Sequence, residues 1–457
     1  MSLRISFLVF LFLAMSIIST NTTGAANYDL IPVPEFYNQS LLNGMQILLL
    51  PGGEERVPFV LMIKNGAAFD PVDKEGLSHI TTWMILEELQ SRNGMKIQEE
   101  MSRLDIHLDF NVKWDAIYLS GEVSRRHLVD ALGLLAEMVI HPDFTEETFD
   151  RLNLQLEEEV EVEAERMDIR TQQLFTAKLF KENPYGRPIK GTPGTIRNLT
   201  LRDVRIHHRK LFVPNQAQLA LYYTGERSHI FRDLSRHWGS WVRKDPLPFT
   251  FRKSISSGGR QIYLLEGSSP HGILRLGKLG GSRDSVDYYA LKILEQYLIL
   301  SFPSWSDKIA QSEQSHIVAK VETRRMPGYL ELSIQGPPAQ LLNYYREFEN
   351  LVTELMNGRV DVSQLEEAKR LAYLDLVDSL QNPVSRLYQL LETNLFNVGV
   401  NFISSYGPHL DRVTFEIFKE AVQQYVSLEE FVLVLAGPWN SFQHELEGMG
   451  QVILVLE

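Results

Sequence analysis

The chain has 457 residues, 44% of them hydrophobic, no cysteine and a formal net charge of −13. That length supports two or more domains with buried cores, and the ordinary apolar content argues against disorder. The acidic balance argues against nucleic acid or an anionic membrane surface as a main partner, and the missing cysteine excludes disulfides, thiolate metal sites and thiol catalysis.

Arg4 precedes an apolar run from Ile5 to Ile18, and small and polar residues follow as far as Ala25-Ala26. A basic start, an apolar stretch and a small-residue cleavage site form a signal-peptide pattern. The run is shorter than the roughly 20 apolar residues a membrane span needs. Residues 1–26 are therefore expected to be removed on export, leaving a periplasmic or extracellular protein with no membrane insertion.

The next segments occur twice. Gly44 to Leu50 is similar to Gly259 to Leu265, and Phe59 to Ile63 corresponds to Gly272 to Leu276. Each pair reads as strands by length and aliphatic content, and each leads through a glycine-containing turn to Asp70 or Asp284 and then a helical pattern. A repeat this long implies two homologous domains rather than a solenoid. We expect an N-terminal domain at 27–240, a linker at 241–258 carrying Asp245-Pro246-Leu247-Pro248, and a C-terminal domain at 259–457. Strands, then long helices, then strands again in each half give an α+β class, with each β-sheet packed against helices.

Within the first half, Glu75 to Glu88 reads as a helix with Leu77, Ile80 and Met84 near one face. His79 and Trp83, four apart, share a face as well. Glu157 to Glu165 holds six glutamates in nine residues, a composition that reads as a solvated helix face. His207-His208 falls on a helix before Val213-Pro214-Asn215. Adjacent helical residues point about 100° apart, so a structural role is expected for both. In the second half, Arg324-Arg325-Met326-Pro327-Gly328-Tyr329 reads as a turn with basic flanks before the strand Leu330 to Ile334. Ser363 to Glu366 and Ser427 to Glu430 fit capping boxes, and Leu365, Ala368, Leu371 and Leu374 have helical spacing. Val432 to Ala436, before Gly437-Pro438, reads as a buried strand.

In order along the chain, several segments resemble the pitrilysin/insulinase metallopeptidases, the inverzincins, and particularly members akin to mitochondrial processing peptidase. They are Asn43 to Ile47, Asn65 to Asp70 followed by Glu75 to His79, Asn183 to Pro188 with Gly191, Val213 to Asn215, and Gly280 to Arg283 with Asp287 to Ala290. Active members carry H-x-x-E-H, two zinc ligands one turn apart with a glutamate base between them. Here His79 matches the first ligand, Thr82 stands at the base and Trp83 at the second ligand. A hydroxyl is no carboxylate base, and an indole is no zinc ligand. The family's third ligand, a glutamate, corresponds to Glu159 or Glu161, and the sequence leaves both open.

The resemblance therefore implies a non-catalytic subunit of an exported two-chain zinc peptidase. It would hold no cofactor of its own, with zinc in a catalytically active partner. In such pairs the zinc-free subunit can contribute an arginine and a tyrosine in trans, which implies Arg324 and Tyr329 here, with Arg325 competing. The family's glycine-rich loop is replaced by Leu300 to Ser306, where Phe302 and Trp305 could form a contact surface. Two other readings stay open. One is a peptide- or protein-binding scaffold without proteolysis; the other is a metallopeptidase with an unconventional site using His79 and the acidic run.

Overall fold

The computed structural model describes residues 28–33, 35–87, 97–255, 259–267, 271–302, 316–438, 442, 446, 449 and 451–455. The expected signal peptide, and Trp305 of the replaced loop, lie outside the described residues. Among those residues, no helix is long and apolar enough to cross a membrane.

Two six-stranded sheets carry the fold. The first holds β1 (Tyr37–Ser40), β2 (Gln46–Leu50), β3 (Arg56–Lys64), β4 (His107–Val112), β5 (Ala116–Ser124) and β6 (Ala217–Tyr222). The second holds β7 (Gln261–Glu266), β8 (Gly272–Leu279), β9 (His316–Glu322), β10 (Tyr329–Gly336), β11 (Val432–Gly437) and β12 (Gln451–Val455). Their orders are β1-β2-β6-β3-β5-β4 and β12-β7-β11-β8-β10-β9. Five strands, from β2 to the edge strand β4 and from β7 to the edge strand β9, match one for one, so the repeat read from Gly44 and Gly259 is a repeat of topology. In each sheet the central parallel pair, β2 with β6 and β7 with β11, is followed by antiparallel strands out to the edge. The outermost strands on the other side differ: β1 runs antiparallel to β2, whereas β12 runs parallel to β7.

β3 is buried along seven consecutive residues, because helices cover both of its faces. Phe59, Leu61 and Ile63 join a core with the helices Leu77–Leu86, Leu128–Ile140 and Glu146–Glu165. Val60 and Met62, on the other face, pack with Leu387, Leu390 and Leu391 of the helix Pro383–Leu395, which belongs to the second half. The reciprocal contact also exists. Phe175, Leu179 and Phe180 of the helix Met167–Phe180, from the first half, pack on Tyr263, Val432 and Val434 of the second sheet. Each domain thus lends one helix to the other's sheet, which locks the two halves together through apolar burial.

Three local expectations need correction. The helix Val362–Ser379 is capped by Asp361, whose carboxylate accepts from the N–H groups of Ser363 (2.8 Å) and Gln364 (3.1 Å). Its buried stripe is Leu365, Ala368, Ala372 and Leu376 rather than Leu371 and Leu374. Ser427 makes no side-chain cap to the short turn Leu428–Glu430.

Candidate functional site

The helix Leu77–Leu86 starts at Gly76, whose φ of 97° places it in the left-handed region that suits glycine. A Cβ there would also come within 2.6 Å of the Lys190 carbonyl oxygen. Buried Asp70 satisfies the exposed donors of this helix end. It accepts from the N–H groups of Gly76 (3.1 Å) and Ser78 (3.0 Å) and from the Ser78 hydroxyl (2.5 Å). Ser78 Oγ also lies 2.8 Å from His207 Nε2. Serine, histidine and aspartate meet here, but Ser78 is 0% exposed and the same ring nitrogen faces both oxygens, with Asp70 Oδ1 at 3.3 Å. This is a buried helix anchor and not a nucleophile with its base. His208 is structural too: Nε2 lies 2.9 Å from the Val139 carbonyl, the ring stacks on Phe212, and burial pushes its pKa down to about 4.

One turn further on, the side chains of the family's metal helix point into aromatic company. The His79 ring lies edge-on to Trp83 (6.1 Å) and against Phe110 of β4 (5.1 Å). Burial, helped by the Lys190 ammonium, pushes His79 down to about 4 and keeps it neutral near pH 7. Thr82 is fully buried, and its hydroxyl donates back to the Ser78 carbonyl at 2.8 Å.

The acidic helix Glu146–Glu165 is not a plain solvated face. Glu159 and Glu163, four apart, both pair with Lys190 Nζ, at 3.5 and 2.7 Å. Glu157 and Glu161, on the adjacent stripe, both pair with Arg197, whose Nη2 lies 2.5 Å from Glu161. Of the two candidates for third ligand, Glu159 thus faces the cation beside His79, and Glu161 belongs to a separate exposed pair. Lys190 was missed by sequence reasoning, although it lies in the Asn183 to Gly191 segment already singled out.

These residues do not fit a zinc ion. Three protein ligands and an open position are needed. Here the one imidazole faces aromatic rings, the Thr82 hydroxyl is bound to the Ser78 carbonyl, and Glu159 already holds the Lys190 ammonium. Among the described residues, no group of three His, Asp or Glu side chains is placed to share a metal.

Arg324 and Tyr329 meet at the seam between the two halves. Arg324 Cζ lies 5.5 Å from the Tyr329 ring centre and 3.7 Å from that of Trp114, which belongs to the β4–β5 turn. Both residues are only 3% exposed. Gly328, between them, passes so close to Glu322 that a Cβ would come within 1.9 Å of its carbonyl oxygen. Buried Asp115 clasps the seam, accepting from Tyr185 Oη (2.5 Å) and from the Arg325 N–H (3.2 Å). Desolvation raises the Asp115 pKa, and those hydrogen bonds oppose it. The Arg325 side chain instead packs on Phe249, 3.9 Å away. Phe302 is 6% exposed and packed in the core near Phe348, so it offers no contact surface.

Arg324 and Tyr329 line a cavity of about 810 Å³ between the β4–β5 turn, the face of β8, β9 and β10, and the end of the helix Pro383–Leu395. A partner's substrate would have to enter this cavity to meet either side chain.

Residues 53–193 match the family model described as Insulinase (Peptidase family M16). An uncharacterized zinc protease of Rickettsia bellii is 25% identical over 228 residues, 48% of this chain and 54% of the relative. The chain thus spans about half the length of that curated relative. The crystal structure of a peptidase M16 inactive domain from Pseudomonas fluorescens superposes with a TM-score of 0.77 at 19% identity, covering 88% of this chain and 98% of that one. The periplasmic protease PqqL of Escherichia coli superposes at 0.71 and 13% identity, over 89% of this chain but only 48% of its own. At these identities the structural matches speak for the fold.

Proposed function

Starting from a chain that carries a domain of the insulinase family, peptidase family M16, we propose that it is the non-catalytic subunit of an exported two-chain zinc peptidase. One observation carries the reading. The helix that would hold the metal is kept in place by Asp70, yet its base and second-ligand positions are Thr82 and Trp83, and Glu159 is held by Lys190. Hydrolysis by a metal-bound water needs chemistry these side chains do not supply. The partner supplies it, holding zinc through an intact H-x-x-E-H.

The half-length match to PqqL supports a chain that forms one half of a larger enclosure. The basic and apolar N-terminal pattern supports export. This subunit contributes peptide-binding walls. β4, which carries Phe110, is an edge strand beside His79 of the helix Leu77–Leu86, and an extended peptide adds to such an edge through main-chain hydrogen bonds. Arg324 and Tyr329 then act on substrate that enters the cavity, not by reaching out of it. Co-expression with a relative carrying an intact motif tests the reading. A stable heterodimer with chelator-sensitive peptidase activity, lost when either chain is omitted, is the expected result. A partner equally active alone would overturn it.

A further inference from the structure

The cavity at the seam holds more cationic hydrogen-bonding capacity than its own carboxylates use. Three ion pairs line it: Lys113 with Glu392 (2.9 Å), Lys320 with Glu322 (2.8 Å), and Arg275 with Glu331. Asp115 is occupied by Tyr185 and by the Arg325 N–H. That leaves two guanidinium groups, Arg324 and Arg283, without a carboxylate in hydrogen-bond reach among the described residues.

Arg324 is the sharper case. It is 3% exposed, and its Nε and Nη1 have no hydrogen-bond partner. A Glu322 oxygen lies 3.7 Å from Nε, too far for a hydrogen bond. Arg283 Nε is likewise without a partner. The two arginines join through the backbone, where the Arg283 N–H donates to the Arg324 carbonyl at 2.9 Å; the Arg283 guanidinium lies over Tyr288 and Phe402, and its Nη2 donates to Gln389 Oε1 at 3.5 Å. Buried donors left unmade are costly, and a guanidinium fork is shaped for two parallel bonds to a carboxylate. The walls beside it are apolar and aromatic, with Trp114, Tyr118 and Phe396. β9, the edge strand of its sheet, runs toward Arg324 along the same cavity.

We infer that this cavity is a binding site for the carboxyl end of a peptide. The α-carboxylate is held by Arg324, and the preceding residues lie between the aromatic wall and the edge of β9. Orphaned buried donors, a cavity of ligand size and an adjacent strand edge are three separate observations that agree on this class of ligand. The inference rests on the premise of the proposed function that peptides are handled in this cavity, and it gives Arg324 a ligand of its own there. It concerns the chain alone, so it can fail while the two-chain reading stands.

The test is calorimetric titration of the full chain with acetyl-tetraalanine as the free acid, as the C-terminal amide, and with acetate alone. The free acid should bind at least tenfold more tightly than the amide, and acetate more weakly than the free acid. Equal binding of acid and amide, or no binding of the acid at millimolar concentration, would overturn the assignment. If acetate binds as tightly as the peptide, the site takes a small carboxylate and the peptide assignment fails. The variant Arg324→Met separates a ligand anchor from a structural cation. It should abolish the preference for the acid while the melting temperature stays the same or rises, because a buried charge without partners is replaced by a side chain of similar reach. A lower melting temperature with the acid preference intact would assign Arg324 to the scaffold and contradict the proposal.

Discussion

Removing the Tyr185 hydroxyl perturbs the seam at one atom. In Tyr185→Phe the ring stays packed among Phe180 and the Arg324 guanidinium, while the 2.5 Å bond to Asp115 and the longer bond accepted from the Met326 N–H (3.4 Å) are lost. Asp115 is 4% exposed, so no solvent replaces the missing donor. A hydrogen bond to a charged, buried acceptor is worth about 1.5–3 kcal/mol, so a loss of about 2 kcal/mol is expected. For a large domain that corresponds to roughly 4–8 °C in melting temperature. The sign of the pH dependence follows from the carboxyl group. Burial raises the folded-state pKa of Asp115 above its unfolded value, and losing Tyr185 raises it further. A raised carboxyl pKa costs stability as pH rises through it, and that cost disappears below the ordinary carboxylate range, about pH 4. The deficit of Tyr185→Phe should therefore be largest at pH 7–8 and shrink toward pH 4. Urea unfolding at pH 8 and at pH 5, followed by the fluorescence of Trp114 and the other tryptophans, measures it directly. A deficit below about 0.5 kcal/mol, in the range of an ordinary surface change, or one that grows in acid, would refute the clasp.

His208 should lower acid stability. Its pKa falls from 6.5 to about 4, so the unfolded chain binds the proton first, and stability declines as pH drops from 6.5 toward 4. The total is about 3 kcal/mol on an order-of-magnitude basis, and His208→Gln should flatten that slope in pH-dependent melting. Lys190→Met should cost no more than about 1 kcal/mol in chemical unfolding, because its pairs with Glu159 and Glu163 are a third exposed; a loss of several kcal/mol would show a deeper role. Rebuilding the family motif with Thr82→Glu and Trp83→His should give about one zinc per chain by elemental analysis, as two histidines and Glu159 make the three ligands a catalytic-type site needs. Adding Lys190→Ala should tighten zinc binding by no more than about fivefold, because the exposed Lys190 pair is worth no more than about 1 kcal/mol. Absence of zinc from the double variant would contradict the assignment of Glu159 as the third-ligand position.

The fold was legible because strand length, aliphatic content and the repeat of Gly44–Leu50 at Gly259–Leu265 are local signals, and topology preserved them. The exchange of helices was not. The apolar stripe of Met167–Phe180 says that the helix is buried, but nothing in it says that Phe175 packs against Tyr263 rather than on its own sheet. At the site, the departure from H-x-x-E-H was readable at Thr82 and Trp83, since it lies in side-chain type alone. The acidic run misled. Six glutamates look solvated until Lys190 and Arg197, more than 25 residues later in sequence, are placed across its two stripes. Arg324 was singled out through the family resemblance, with Arg325 competing, but its burial came from Trp114 and Tyr185, which no spacing rule connects to it. The Asp361 cap escaped because Ser363-Gln364-Leu365-Glu366 offered a more familiar pattern two residues away.

The central claim is that His79, Thr82, Trp83 and a lysine-bound Glu159 cannot hold and use a hydrolytic zinc ion. Elemental analysis of the purified chain, paired with a peptide-cleavage assay before and after a chelator, tests it most directly. The account predicts well under one zinc per chain and no chelator-sensitive cleavage. One tightly bound zinc with cleavage that the chelator abolishes would contradict it.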